Sequence, residues 1–344
     1  MSILSRLCLA VVLSLCVGLA AAQAPESDTQ EQQKRQVTHP GNNAPVWRDV
    51  RSGQENYTSI KGRETGVLVQ SAGETWRRIR NGPVTFYGGL LVVLIAAAIL
   101  GFYAIFGSVK VHGKPTGRLI QRFTRLDQVT HWSVAISFSI LGLSGLIMLF
   151  GKHVLLPVIG YTLFGWLTAL SKNLHNFVAP IFIVSVAAMI VLYVRYNLPK
   201  AYDMKFMLNA FAVMAKGKHV PSGKFNGGEK IWFWGGVVVL SIVVTWSGLI
   251  LLFPNFDQTR AVMQEAWIWH ACAALLYVSI SFGHMYLGTI GLEGSYQAMR
   301  SGYVDETWAK EHHQYWYEEM KSSARQPAGG GAVPAGAPHA PKEE

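Results

Sequence analysis

Four histidines hold most of the chemistry open to this chain: His131, His175, His270 and His284 lie within or at the ends of long apolar runs. An imidazole in hydrocarbon is expensive and marks a functional site unless a neighbouring carbonyl satisfies it. For any one of the four the carbonyl reading stands. Four together, without a compensating set of buried acids, point to metal ligation. His270 and His284 are 14 residues apart in one run. At about 100° per residue that is about 40° short of four turns, so both side chains leave nearly the same helix face, roughly 21 Å apart along the axis.

Five apolar runs must position these side chains, at about 84–107, 130–150, 174–194, 231–253 and 265–290. Each is near the roughly 20 residues that cross a bilayer as a helix. Lys and Arg crowd the segments before the second and fourth runs: Lys110, Lys114, Arg118, Arg122 and Arg125, then Arg195, Lys200, Lys205, Lys216, Lys218, Lys224 and Lys230. The intervening loops hold Lys152 and Lys172, then Arg260. The positive-inside rule puts the crowded segments in the cytoplasm. Arg77, Arg78 and Arg80 oppose this assignment from the outer side, but two basic loops outweigh one cluster.

Depth then pairs the histidines. His131 opens the second run and His284 closes the fifth, both towards the cytoplasm; His175 and His270 lie towards the outside. Each pair can give two axial nitrogens to one haem iron, a ligation that favours electron transfer over oxygen binding. Gly142, Gly145, Gly248 and Gly283 would let large flat groups approach the helices, although small residues also serve ordinary helix packing. His153 reads as interfacial, and His112, His219, His312 and His313 as solvated residues of cytoplasmic segments.

Composition agrees with a polytopic membrane protein. Half of the 344 residues are hydrophobic and 15% are charged, with eleven Trp and thirteen Tyr. The net charge of +10 lies in short loops rather than in a nucleic-acid-binding face. The three cysteines, Cys8, Cys16 and Cys272, form no C-x-x-C, which excludes covalent c-type haem and cysteine-held clusters. Residues 1–22 read as a signal peptide ending in Ala20-Ala21-Ala22, with an uncleaved anchor as the alternative. Residues 23–82 form a polar extracytoplasmic segment, and the chain after about residue 322 has a disordered composition.

Several stretches resemble the gamma subunit of respiratory formate dehydrogenase, a cytochrome b. They are Asp127-Gln128-Val129-Thr130-His131-Trp132, Asn173-Leu174-His175, Trp269-His270-Ala271 and His284-Met285-Tyr286. The loop Gly223 to Lys230 and the tail from Trp308 through His312-His313 to Tyr317 match as well, so the likeness covers about 115–320. Gly66 to Gln70 and Glu74 to Arg78 look like the longer bacterial form.

The resemblance implies two haems b, the outer on His175 and His270 and the inner on His131 and His284. It implies quinone reduction, menaquinone or ubiquinone, near His284 with Asn226 alongside. Asn226 also suits a turn, since Asn-Gly-Gly favours positive φ. The implied partners are an iron–sulfur beta subunit and a molybdenum- or tungsten-containing alpha subunit outside the membrane. With no cluster, molybdopterin or nucleotide motif of its own, such a chain needs an electron source on another subunit.

The expected fold is an all-α integral membrane protein of the bacterial inner membrane. A first transmembrane helix at 83–108 precedes a dihaem four-helix domain at 115–293 and a cytoplasmic tail at 294–344. The rivals are a nickel–iron hydrogenase cytochrome b, separated only by the loop, tail and N-terminal extension, and a histidine-based transporter. A transporter would be expected to carry intramembrane acids, and the runs contain almost none beyond Glu265.

Overall fold

The computed structural model describes residues 51–52, 72–254 and 256–325. Five helices among them are long and apolar enough to cross a membrane. They are α1 (Gly73–Phe106), α2 (Arg125–Val154), α3 (Leu156–Tyr196), α6 (Gly227–Leu252) and α7 (Arg260–Gly291). The short helices α4 (Ala201–Leu208) and α5 (Ala210–Lys216) link α3 to α6. After α7 come α8 (Ser295–Ser301), α9 (Glu306–His312) and α10 (Gln314–Arg325). The expectation of a five-span all-α membrane protein therefore holds. The expected signal peptide and the chain after residue 325 lie outside the described residues, as does most of the segment 23–82.

The core is the four-helix set α2, α3, α6 and α7, with α2 and α3 packed along their length and α6 against α7. Phe182, Val186, Met189, Phe233, Val237 and Tyr277 form its largest buried cluster. Large apolar side chains such as Phe177 and Val191 face outward, as expected of a surface solvated by lipid. α1 packs outside the core on α7. Its Gly88 and Gly89 allow close approach to Leu275 and Phe150.

Local chemistry sets the helix starts. Thr124 caps α2 by accepting from Asp127 N at 3.2 Å, while Asp127 Oδ2 accepts from Thr124 N at 2.8 Å. Asn226 and Glu229 repeat that capping box for α6. Thr259 Oγ1 accepts from Val262 N at the start of α7. The helices are not uniform. Arg80–Val84, Trp232–Leu240 and Leu287–Gly291 are π-helical, and inserts of that kind recur at functional sites.

Three expectations change. α1 begins at Gly73, so the end of the supposed polar segment is helix. There Glu74 pairs with Arg77 and Arg78, and Arg80 lies over the rings of Trp76 and Trp267. α3 begins well before residue 174: Lys172 ends the apolar window but not the helix, which breaks instead at Gly160, with φ of 75°.

The chain after α7, expected only as a polar tail, folds as far as Arg325. Strand β1 (Leu119–Gln121) pairs antiparallel with β2 (Tyr303–Asp305), and Phe123, Trp308, Trp316 and Tyr317 share a second core. This cap covers the bundle end that holds Asn226. Arg122, 5% exposed, is its hub. It donates to Lys224 O at 2.9 Å and Glu229 Oε1 at 3.2 Å, and its guanidinium sits 4.9 Å from the centre of the Trp308 ring.

Candidate haem-binding sites

His175 on α3 and His270 on α7 face each other with ring centroids 6.0 Å apart. Both line an apolar cavity between the core helices, with about 1090 Å³ of atom-free space, part of it open at the bundle surface. The two imidazoles are held on one side only. His270 Nδ1 lies 3.1 Å from Val244 O and 3.2 Å from Ser247 Oγ. A carbonyl can only accept, so Nδ1 carries the proton. His175 Nδ1 lies 2.9 Å from Ser144 Oγ. With the Ser144 hydroxyl donating to Leu141 O at 3.1 Å, its oxygen is placed to accept from His175. In both rings the proton on Nδ1 leaves the Nε2 lone pair free to bind a metal.

Two adjacent pairs in sequence build these seats: Ser144-Gly145 on α2 and Ser247-Gly248 on α6. A methyl on Gly248 would lie 3.1 Å from His270 Cε1, and one on Gly145 would lie 3.6 Å from His175 Cε1. The glycines make room first for the imidazoles themselves. Gly142 faces Val278 and lines the cavity, and Gly283 has open space beside it.

His131 on α2 and His284 on α7 form the second pair, with centroids 6.2 Å apart. Trp232, in the π-helical turn of α6, stacks on His284 at 4.9 Å and 11°. His131 Nδ1 is buried with no hydrogen-bond partner among the described residues. An orphaned ring nitrogen in an apolar bundle costs about 1–3 kcal/mol, and His131 lacks the Nδ1 seat that the other pair has.

Both pairs pass a test of fit to a haem iron. An imidazole–metal bond of about 2.0 Å on each side, plus about 1.1 Å from nitrogen to ring centre, separates two axial rings by about 6.2 Å. Packed rings such as Phe138 and Phe182 reach the same spacing, so what sets these two pairs apart is that both members are imidazoles held between apolar helices.

Asn226 is a helix cap, not the positive-φ turn that its neighbours suggested. Its Oδ1 accepts from Glu229 N at 3.0 Å, and neither Gly227 nor Gly228 has positive φ. Gly227 is needed for close approach: a methyl there would meet Asp203 O at 2.9 Å. The carboxamide NH₂ of Asn226 is the half of the side chain suited to donate to a carbonyl ligand. Burial lowers the Lys224 ammonium in the same loop, against the pull of Asp127.

His312 and His313 are not solvated. His313 is 1% exposed, with Nδ1 2.7 Å from Gly223 O, and burial holds its pKa well below the ordinary value. His112 and His219 sit together at the cap edge.

Sequence reasoning missed Ser144, Ser247 and Trp232. The repeated Ser-Gly pair in two apolar runs was a readable signal; the stacking of Trp232 depends on the π-helical turn and was not.

Known proteins resemble this chain in sequence. The nitrate-inducible formate dehydrogenase cytochrome b556(Fdn) subunit of Escherichia coli (strain K12) is 29% identical over 216 residues, 60% of this chain and 94% of that one. The formate dehydrogenase cytochrome b556(fdo) subunit of the same strain is 28% identical over 212 residues, 61% and 97%. The formate dehydrogenase cytochrome b556 subunit of Haemophilus influenzae is 24% identical over 203 residues, 56% and 79%. The profile of the family described as prokaryotic cytochrome b561 matches residues 121–302, just over half of the chain and all four paired histidines. The chain belongs to the prokaryotic cytochrome b561 family.

Proposed function

We propose that this chain is the membrane cytochrome b subunit of a formate dehydrogenase, linking a periplasmic iron–sulfur subunit to quinone near the cytoplasmic face through two haems b. The observation that carries this reading is two facing pairs of imidazoles, at two depths of one bundle, inside the segment that the cytochrome b family matches. His175 and His270 would hold the outer haem iron, and His131 and His284 the inner. When bound, the haems supply reversible one-electron transfer between partner and quinone. Val244 O, Ser144 and Ser247 fix the outer imidazoles in the tautomer that leaves Nε2 free, which sharpens ligand orientation and basicity. Trp232 fixes the plane of His284 by stacking. The apolar lining of the His175/His270 cavity lowers the dielectric around that pair.

Asn226 begins α6, and Trp232 follows about 9 Å further along the helix, against His284. The Asn226 NH₂ group is therefore suited to donate to a quinone carbonyl at the cytoplasmic end of the bundle. Menaquinone and ubiquinone both present that carbonyl. The basic loops of this end support its cytoplasmic placement, with the mature N-terminus in the periplasm. The named relatives are formate dehydrogenase subunits, which favours iron–sulfur beta and molybdenum- or tungsten-containing alpha partners over a nickel–iron hydrogenase.

The test is the affinity-purified complex. Formate should reduce its haem α-band and a soluble quinone should reoxidise it. A complex whose α-band responds to hydrogen and not to formate would overturn the assignment of partner.

A further inference from the structure

We propose that His112, His219 and Glu311 form a zinc-class divalent-cation site that staples the cap together, separate from the haem ligands. Three distant segments supply it: the connector after α1, the stretch between α5 and α6, and the end of α9. His219 Nε2 is 3.0 Å from His112 Nδ1, and Glu311 Oε2 is 3.7 Å from each of these nitrogens. The circle through those three atoms has a radius of about 2.0 Å, the length of a zinc–imidazole or zinc–carboxylate bond. One ion can therefore touch all three without rearrangement. The outward side, where both imidazoles are exposed, is left to a water ligand.

The surroundings prepare the donors. His219 Nδ1 lies 3.2 Å from Glu311 O, so it carries the proton and presents the Nε2 lone pair to the cluster. Glu311 is aimed by two backbone donors, Gly113 N to Oε1 at 2.7 Å and His112 N to Oε2 at 3.0 Å. Two glycines make the space. A methyl on Gly113 would lie 3.0 Å from Glu311 Oε1, and one on Gly217, at φ of 63°, would lie 3.2 Å from His112 Cε1. Behind the cluster, the His312 ring is 6.1 Å from that of His219, and its Nε2 is buried without a partner among the described residues. A direct hydrogen bond between His112 and His219 would give the same 3.0 Å without an ion, so zinc itself must be counted.

An ion here would act on the Asn226 loop. Ser222 donates to His312 O at 2.7 Å and His313 Nδ1 donates to Gly223 O, so the strand of chain leading to Asn226 is already tied to the residues that follow Glu311. Clamping Glu311 to His112 and His219 fixes both ends of that tie.

The experiment uses the assembled complex without a polyhistidine tag, stripped with EDTA and dialysed against buffered free zinc. Bound zinc is counted by elemental analysis in the wild type, His112→Asn, Glu311→Gln and the control His153→Asn. The wild type and His153→Asn should hold one more zinc per chain than the other two, with at least tenfold weaker binding in His112→Asn. Zinc should also slow proteolysis of the cap in the wild type and not in His112→Asn. Glu311→Gln can disturb the Gly113 turn, so His112→Asn, altered only at an exposed ring, decides when its visible spectrum is unchanged. Equal zinc in wild type and His112→Asn overturns the site. Zinc binding without protection overturns the staple.

Discussion

Replacing Gly248 by alanine separates the seat of His270 from ordinary helix packing. The added methyl would lie 3.1 Å from His270 Cε1 and 3.4 Å from its Nδ1. Both are inside the roughly 3.5–4.0 Å optimum for such contacts, so the ring or the helix must give by a few tenths of an ångström. The ring is not free to yield, because Nδ1 is tied to Val244 O and Ser247 Oγ. Alanine within a helix gains up to about 1 kcal/mol over glycine, and overpacking costs about 1–3 kcal/mol. With about 1 kcal/mol regained from propensity, an overpacking cost in the upper half of that range, about 2–3 kcal/mol, leaves a net loss of about 1–2 kcal/mol, or roughly 5- to 30-fold weaker haem retention at the His175/His270 pair. At Gly145 the same methyl lies 3.6 Å from His175 Cε1, an ordinary contact. There propensity decides, and Gly145→Ala should keep its haem and unfold at a slightly higher temperature. The assay is haem content by pyridine haemochrome after serial dilution, with the α-band recorded for each variant. Equal haem loss in both variants would refute the reasoning, as would a Gly248→Ala protein with undiminished haem and an unshifted α-band.

The cap and the loop give further tests. Arg122→Met removes the buried hub of the cap but leaves Glu229, 37% exposed, within reach of water, and should cost about 1–3 kcal/mol in thermal or denaturant unfolding of the cap. Gly302→Ala should lower the yield of folded protein, since its φ is 85° and a methyl would lie 2.6 Å from Phe123 O and against Gln128. Asn226→Ala loses the α6 cap and about 1 kcal/mol, whereas Asn226→Asp keeps the cap oxygen, replaces the NH₂ donor by an acceptor, and adds a negative charge that the N-terminal end of the helix dipole favours. Asn226→Asp should therefore at least match wild-type stability and haem reduction by formate while slowing reoxidation by quinone; unchanged reoxidation would remove Asn226 from the quinone site. Trp232→Leu should perturb the spectrum of the His131/His284 haem and leave that of the other haem unaltered.

The spans were legible because hydrocarbon imposes one simple demand, about 20 apolar residues in sequence. Histidine pairing was legible because depth follows from span direction, and the close ring pairs His131–His284 and His175–His270 are those that depth selects. The start of α3 was not, because Lys172 interrupts hydropathy without interrupting a helix whose surface can keep that side chain wet. The cap was hidden for a different reason. Its strands are three residues long and pair segments nearly two hundred residues apart, so no local period announces them. His312 and His313 read as solvated and Arg122 as one more loop cation because their burial is tertiary, set by Phe123, Phe225 and Trp308. The capping boxes Thr124 to Asp127 and Asn226 to Glu229 were present in the sequence as T-x-x-D and N-x-x-E. Reading the second would have placed Asn226 at a helix start.

The central claim is that four histidines form two axial pairs in one bundle. Its most direct measurement is the ratio of haem b to this polypeptide in the purified, assembled complex, by pyridine haemochrome against quantitative amino-acid analysis. The account predicts two haems b per chain, falling to one in His270→Ala and to one in His284→Ala, with different α-bands remaining in the two variants. A wild-type ratio of one, or the same residual spectrum in both variants, would contradict it.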